Sequence, residues 1–408
     1  MFSRIKVWFQ IRYQKIINSI SFYPALIGLL FLIVAIFMLG LDFSIQGKNI
    51  KSSVSWLNIK DASTARSIIS AIAAGIISLT VFSFSMVMIV LNQAASQMSN
   101  RVLDKLIGNR FQQIVLGIYI GTIVYAFFLL STIRDIDSGL YIPSLSIYLL
   151  IVFTIFDIFL FIYFLHYITQ SVKYEVIIRR IFDNTLEVMK SNCLKTEESS
   201  TEIKIENGIK IFSHKSGIYE RCEENGIIRF CKENNCLVHV IPTPGTTLLK
   251  GSPIAEISKV LHEDLNKELL NYLYIHESES IEENYFYGFR QLTEVAIKAL
   301  SPGINDPATA IISLRSLFEL YTFRIQHFPK TILRDKSSKA FVILSELTFE
   351  NIFLDTIIPI WNYGKDDRMI QQKMQLLLSQ LATNHPNVTV EKLLNKVKEY
   401  SKNNEFIL

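Results

Sequence analysis

An aspartate, Asp157, stands near the middle of "LSIYLLIVFTIFDIFLFIYFLHYITQ", where every neighbour is apolar. A carboxylate in such a setting costs ~2.5–3.5 kcal/mol on insertion scales, so it belongs against protein or water. There it would serve as an ion or proton site. The plainer alternative is a carboxyl that keeps its proton and bonds to a neighbouring helix, for example through Thr80 or Ser83. A second set is milder in chemistry. Ser78, Ser85 and Asn92 recur every seven residues, on a stripe with Ser67, Ala71, Ala74, Val81, Met88, Ala95 and Ser99. Such a face suits close helix packing, with serines bonded back to their own carbonyls, or the wet lining of a pore in an oligomer. A third set, Arg290, Glu294, Asn305 and Asp306, surrounds "ALSPGINDPATA" and would form a polar cluster if its members converged. Capping accounts for its last members without any chemistry. Pro302-Gly303 ends one helix, and Asp306 followed by Pro307 starts the next. A hinge is the expected answer.

The elements that must position these residues follow from hydropathy and charge. Phe22–Leu41, Ser67–Leu91, Ile114–Ile133 and Leu145–Ile168 are each long enough to span a bilayer, which needs ~20 apolar residues. The first is read as a retained anchor, since it lacks a small-x-small cleavage site. Residues 1–170 hold 12 Lys/Arg and 6 Asp/Glu, a net of +6, whereas residues 171–408 hold 29 and 31, a net of −2. The acidic balance of the second half gives nucleic acid no basic face to bind. Ten Lys/Arg flank the spans on the side of the N-terminus and five on the other, which places both termini in the cytoplasm. The third span carries Gly117 and Gly121 four apart, a close-packing signal for internal contacts or self-association. Between the second and third spans, "ASQMSNRVLDKLIGNRFQQ" reads as an amphipathic helix lying at the membrane surface or capping the tail.

After the spans, short β-rich runs at Ile209–Ser213, Gly217–Arg221 and Leu237–Pro242 surround a helix near Glu224–Asn234. "GTTLLKGSPIAEI" has the cadence of a lipoyl-like β module, although Lys250 lacks the Met or Asp setting of a modified lysine. Cys222, Cys231, Cys236 and His239 are spaced nine, five and three apart, unlike paired zinc knuckles. Buried thiols are expected there, with no metal and no cofactor. From residue 260 onward the reading is helical. Phe289, Leu292, Ala296 and Ala299 line one helix, with Glu294 and Lys298 paired outside, and Ile311, Leu314, Phe318 and Tyr321 line the next.

The expected fold is therefore a membrane protein: four transmembrane α-helices followed by a cytoplasmic α+β domain. Its parts are a basic segment over 1–21, the spans over 22–170, a helical extension and linker over 171–208, a β-rich module over 209–259 and a helical region over 260–408. Three stretches, "RSIISAIAAGIISLTVFSFSMVMIVLNQAASQMSNRVL", "YFLHYITQSV" and "GFRQLTEVAIKALSPGINDPATA", together resemble the bacterial membrane proteins of domain-of-unknown-function family 2254. The resemblance covers nearly the whole chain in order and implies a bacterial inner-membrane protein, with no activity attached. The leading expectation for function is a homo-oligomeric channel for ions or small solutes, its pore lined by Ser78, Ser85 and Asn92 and gated by the cytoplasmic domain. The alternatives are a proton-coupled carrier using Asp157, and a membrane-anchored sensor or scaffold whose tail binds a cytoplasmic protein or small ligand. No nucleophile–base pair, phosphate loop or cofactor fingerprint appears, so an enzyme is not expected. Membrane lipid and further copies of the chain are the expected partners.

Overall fold

Apolar runs broken by Gly, Pro and charge dictate an order of elements that a computed structural model describes for residues 21–53, 59, 61–97, 110–136, 139–171, 173–195, 205, 208–335 and 339–403. The chain divides into two units, residues 1–173 and 174–408.

The first unit contains α1 (Phe22–Phe43), α2 (Ile45–Ser53), α3 (Ala62–Gln97), α4 (Arg110–Thr132), a hairpin of β1 (Arg134–Ile136) and β2 (Gly139–Tyr141), and α5 (Ser144–Ser171). Of these, α1, α3, α4 and α5 are long and apolar enough to cross a membrane. They coincide with the four expected spans, whereas α2 and the hairpin were not expected. The amphipathic segment after the second span lies outside the described residues. Heptad spacing selects the inward faces. Ile69, Ala73, Ile76, Ser83 and Val90 of α3, Tyr119, Thr122, Ala126 and Leu129 of α4, and Leu150, Asp157 and Phe164 of α5 are all buried.

The glycine pair works inside the chain. A Cβ on Gly117 would meet Ile27 Cδ1 at 2.7 Å, and one on Gly121 would meet the Phe31 ring at 2.7 Å. The two glycines thus let α1 lie close against α4. Gly121→Leu is expected to cost about 1–3 kcal/mol or more through overpacking. It should appear as a lower melting temperature of the purified chain, and Phe31→Ala in the same chain should recover part of the loss.

At the end of α1, Asp42 is fully buried. Its carboxylate accepts from the backbone N–H of Leu145 (3.1 Å) and Ser146 (2.8 Å), from the Ser146 hydroxyl (2.6 Å) and from Lys51 Nζ (3.1 Å). It therefore caps the first turn of α5 from another helix, where free N–H groups and the helix dipole favour an anion.

Lys173, the last residue of the first unit, is not helical, so the second unit opens on a separate helix, α6 (Tyr174–Asn192), rather than on the expected continuation of the fourth span. It is followed by β3 (Cys193–Leu194), β4 (Ile209–Phe212), β5 (Gly217–Cys222), α7 (Glu224–Glu233), β6 (Val238–Val240), β7 (Thr246–Leu248), β8 (Pro253–Ile257), α8 (Glu263–Asn271) and β9 (Leu273–His276). Then come α9 (Phe286–Ala299), α10 (Pro307–Arg324), β10 (Phe328–Pro329), β11 (Ile332–Arg334), β12 (Ala340–Leu344), α11 (Phe349–Gly364), α12 (Arg368–Asn384) and α13 (Val388–Asn403). One sheet has the order β11-β12-β6-β8-β4 and another the order β7-β5-β9. The β-rich region is thus not closed within 209–259. β6 is central, antiparallel to β8 and parallel to β12, which comes from the stretch expected to be helical. Val238 and Val240 are fully buried there, as a strand with a neighbour on each side requires.

The helices form the rest of the core around Tyr321, which is ringed by Phe289, Phe318, Phe349 and Phe353 and shares a 2.6 Å hydrogen bond with Thr356. Gly288 brings α9 against α6, because any Cβ there would collide with the Thr185 hydroxyl.

Candidate functional site

The α3 stripe lies on the outside of the single bundle. Ser67, Ala71, Ala74, Ser78, Val81, Ser85, Met88 and Asn92 are all exposed, whereas the side chains of Ala95 and Ser99 lie outside the described residues. Ser78 donates to the carbonyl of Ala74 at 3.0 Å and Ser85 to that of Val81 at 2.9 Å. Both serines are therefore satisfied within their own helix. Asn92 directly follows the apolar run Ser67–Leu91 within the same helix. Among the described residues of one chain, nothing covers this face.

The opposite face of α3 carries different chemistry. Ser83 lies five residues from Ser78 and two from Ser85, which at about 100° per residue turns it to the interior. Asp157, at the midpoint of α5, is fully buried there, with Thr122 at 0% and Ser83 at 3% exposure. Asp157 faces Thr122, and Tyr119 neighbours both Ser83 and Asp157. The Thr122 hydroxyl stands beside the Asp157 carboxyl and the Ser83 hydroxyl beside that of Tyr119, yet none of the five side-chain oxygens reaches good hydrogen-bond geometry. Of the two hydroxyls expected beside the acid, Ser83 turns to the same interior but neighbours Tyr119, and Thr80 bonds back to Ile76 at 2.7 Å. Tyr119 and Thr122 were overlooked. Their signal is a polar pair at i and i+3 near the middle of an apolar span, hidden between the more familiar Gly117 and Gly121.

In the second unit, Arg290 and Asp306 are committed to different partners. Arg290 Nη1 holds both carboxylate oxygens of Glu279, at 2.9 and 2.8 Å. Asp306 caps α10, accepting from Thr309 N (3.1 Å) and Thr309 Oγ1 (2.6 Å), and its own N–H bonds Ala299 O at 2.8 Å. Nine residues of α9 separate Arg290 from Ala299, about 13 Å along the axis, with the half-buried Glu294 between. Asn305 has φ +48°, a conformation asparagine tolerates in tight turns. The stretch acts as helix punctuation.

A cavity of about 140 Å³ opens instead beside β5. Its walls include Glu220, Cys222, Glu283, Asn284, Tyr285 and Glu346. Most of its charges are compensated. Glu220 accepts from Ser280 N (2.7 Å) and pairs with His276 (2.6 Å), Glu283 pairs with Arg221, and Glu346 faces Arg324. Burial pushes the Glu346 carboxyl up to about 8, against the pull of Arg324. Burial also pushes the Cys222 thiol up to about 12, which leaves it without thiolate character at neutral pH. All four cysteines are free and buried, and no metal-ligand cluster occurs among the described residues. Cys231 and Cys236 share a hydrogen bond that raises the first thiol and lowers the second.

Known proteins were then compared with the chain. An uncharacterized protein of Mycobacterium tuberculosis (strain CDC 1551 / Oshkosh) is 22% identical over 335 residues, covering 78% of this chain and 64% of its own length. An uncharacterized protein of Mycobacterium bovis matches with the same figures. The match spans less than two thirds of these relatives, 64% in each case. No solved structure matches. A family model described as "Predicted membrane protein (DUF2254)" matches residues 17–380, taking in the four apolar helices and the five- and three-stranded sheets of the second unit. By that match the chain belongs to this family of predicted membrane proteins.

Proposed function

We propose that the chain assembles through α3 into a homo-oligomeric channel for ions or small solutes, in a bacterial plasma membrane. The second unit faces the cytoplasm and regulates it. One observation carries this reading: every described side chain of the small and polar stripe, from Ser67 to Asn92, faces out of the single bundle. Lipid gains nothing from such a face, whereas a second copy of α3 packs closely on small residues and brings the serines and the Asn92 amide to a common axis. Single-channel recording of the purified protein in planar bilayers tests it. Discrete conductance steps are expected, with several-fold smaller steps for Asn92→Leu. Steps of unchanged size in the variant would remove α3 from the pore.

A second reading, a membrane-anchored sensor, is favoured by the cavity beside β5, whose buried Asn284 Nδ2 and Glu346 would greet a small polar ligand. It predicts no conductance under voltage or tension, and a partner that co-purifies with residues 174–408.

A further inference from the structure

Hydroxyl groups inside apolar helices have a cheap default, which is to bond back to the carbonyl one turn earlier. Ser78, Thr80, Ser85 and Thr154 all take it. Ser83 and Thr122 do not, although both are buried. They turn towards the interior of the bundle, Thr122 beside the Asp157 carboxylate and Ser83 beside the Tyr119 hydroxyl, in contacts that fall short of hydrogen-bond geometry. Three helices thus bring five oxygens together at mid-bundle in contacts too loose to be well-formed hydrogen bonds. Oxygens gathered round a hard cation of sodium or calcium size stand ~2.3–2.6 Å from the ion and do not bond one another. Buried polar groups that make no bonds at all cost about 1–3 kcal/mol each, so a cluster of them calls for an occupant.

We propose that Ser83, Tyr119, Thr122 and Asp157 form a binding site for one dehydrated alkali cation, of sodium size, inside each protomer. The charge balance selects the ion. No Lys or Arg occurs in residues 67–97, 111–132 or 145–171, so the single carboxylate has no basic partner at its depth. A monovalent cation neutralises it, while a divalent one would leave a net charge in the apolar interior. All donors are hard oxygens, which suits an alkali ion and gives a transition metal no nitrogen or sulfur ligand. Asp42, the other carboxylate buried among the described residues of this unit, shows the contrast, since four donors already satisfy it. The site lies on the side of α3 away from the stripe, so it stands or falls separately from the pore.

The test is thermal melting of the full-length protein in detergent, titrated with sodium, potassium or lithium chloride against choline chloride at constant ionic strength. A ligand that binds only the folded state raises the melting temperature with the logarithm of its concentration. Sodium is expected to do so, and Asp157→Asn, which keeps the side-chain volume, is expected to abolish the response. Thr122→Val should weaken the apparent sodium affinity about tenfold, the effect of losing ~1.4 kcal/mol of ligand energy. Equal melting temperatures in all four salts would overturn the site. So would a sodium response that survives Asp157→Asn, or a melting temperature that follows pH but no alkali ion, which would leave a proton as the sole occupant. If Asp157→Asn does not fold, Thr122→Val and Ser83→Ala decide, and unchanged sodium affinity in both would overturn it.

Discussion

Arg324→Ala is expected to destabilise the second unit by about 3–5 kcal/mol, because it removes a buried guanidinium whose two charge-assisted hydrogen bonds are worth ~1.5–3 kcal/mol each. Arg324 is 2% exposed at the end of α10, where it donates to the carbonyls of His327 (2.9 Å) and Leu347 (2.8 Å) and faces Glu346. Alanine strips both carbonyls and leaves the carboxyl with no opposing charge. The pH dependence has a definite sign. Glu346 titrates at about 8 in the folded protein against 4.5 when unperturbed. Its contribution is therefore fully present below pH 4.5 and is lost as pH rises through about 8, since the unfolded chain has already shed the proton. The wild-type melting temperature should decline across that window. Glu346→Gln should flatten the decline. Arg324→Ala, by removing the influence that lowers the carboxyl, should fare far worse at pH 8.5 than at pH 5. A pH-independent loss would mean that Arg324 acts only through its carbonyl bonds.

Asp42→Ala should be as damaging to the first unit, again about 3–5 kcal/mol, because it abandons the partly buried Lys51 ammonium and two N–H groups of α5. Lys51→Met is the informative comparison. It removes one donor of four and leaves Asp42 capping α5, so its cost should be much smaller. Melting of both variants in detergent, alongside protease resistance in membrane vesicles, separates the two roles. Equal losses would mean that the ion pair, rather than the cap, holds α1 to α5.

The spans were legible because ~20-residue apolar runs have few other readings. The turn at Asn305-Asp306-Pro307 was legible because each residue carries a local backbone preference. Depth was legible at Asp157, and so was Ser83 as a hydroxyl turned to the same interior, but Tyr119 and Thr122 were not. Tyr119 and Thr122 become partners only once helix rotation is fixed, and rotation depends on where Gly117 and Gly121 let α1 approach. Asp42 escaped notice for a similar reason: its cap serves a helix some hundred residues away, and no local pattern announces it. β12 was misassigned because "AFVIL" is a continuous apolar run, in which periodicity does not separate strand from helix. The outward direction of Ser78 and Ser85 could not be read from the stripe itself, since small residues pack equally well inside a chain or between chains.

The parallel pairing of β6 with β12 also sets a schedule for biogenesis. Val240 meets Leu344 in the sheet, so a ribosome must add about a hundred residues after the first strand before the second exists. At ~5–20 residues per second that is some 5–20 seconds, during which β6 presents a bare edge in a crowded cell. An incomplete chain halted anywhere in that interval carries an unshielded strand of valines, a natural handle for holdases and quality-control proteases. Parallel pairing of such distant segments is also slow to find. The second unit should therefore mature after synthesis of its last strand rather than piece by piece, and rare codons upstream of Ala340 would lengthen its most vulnerable period.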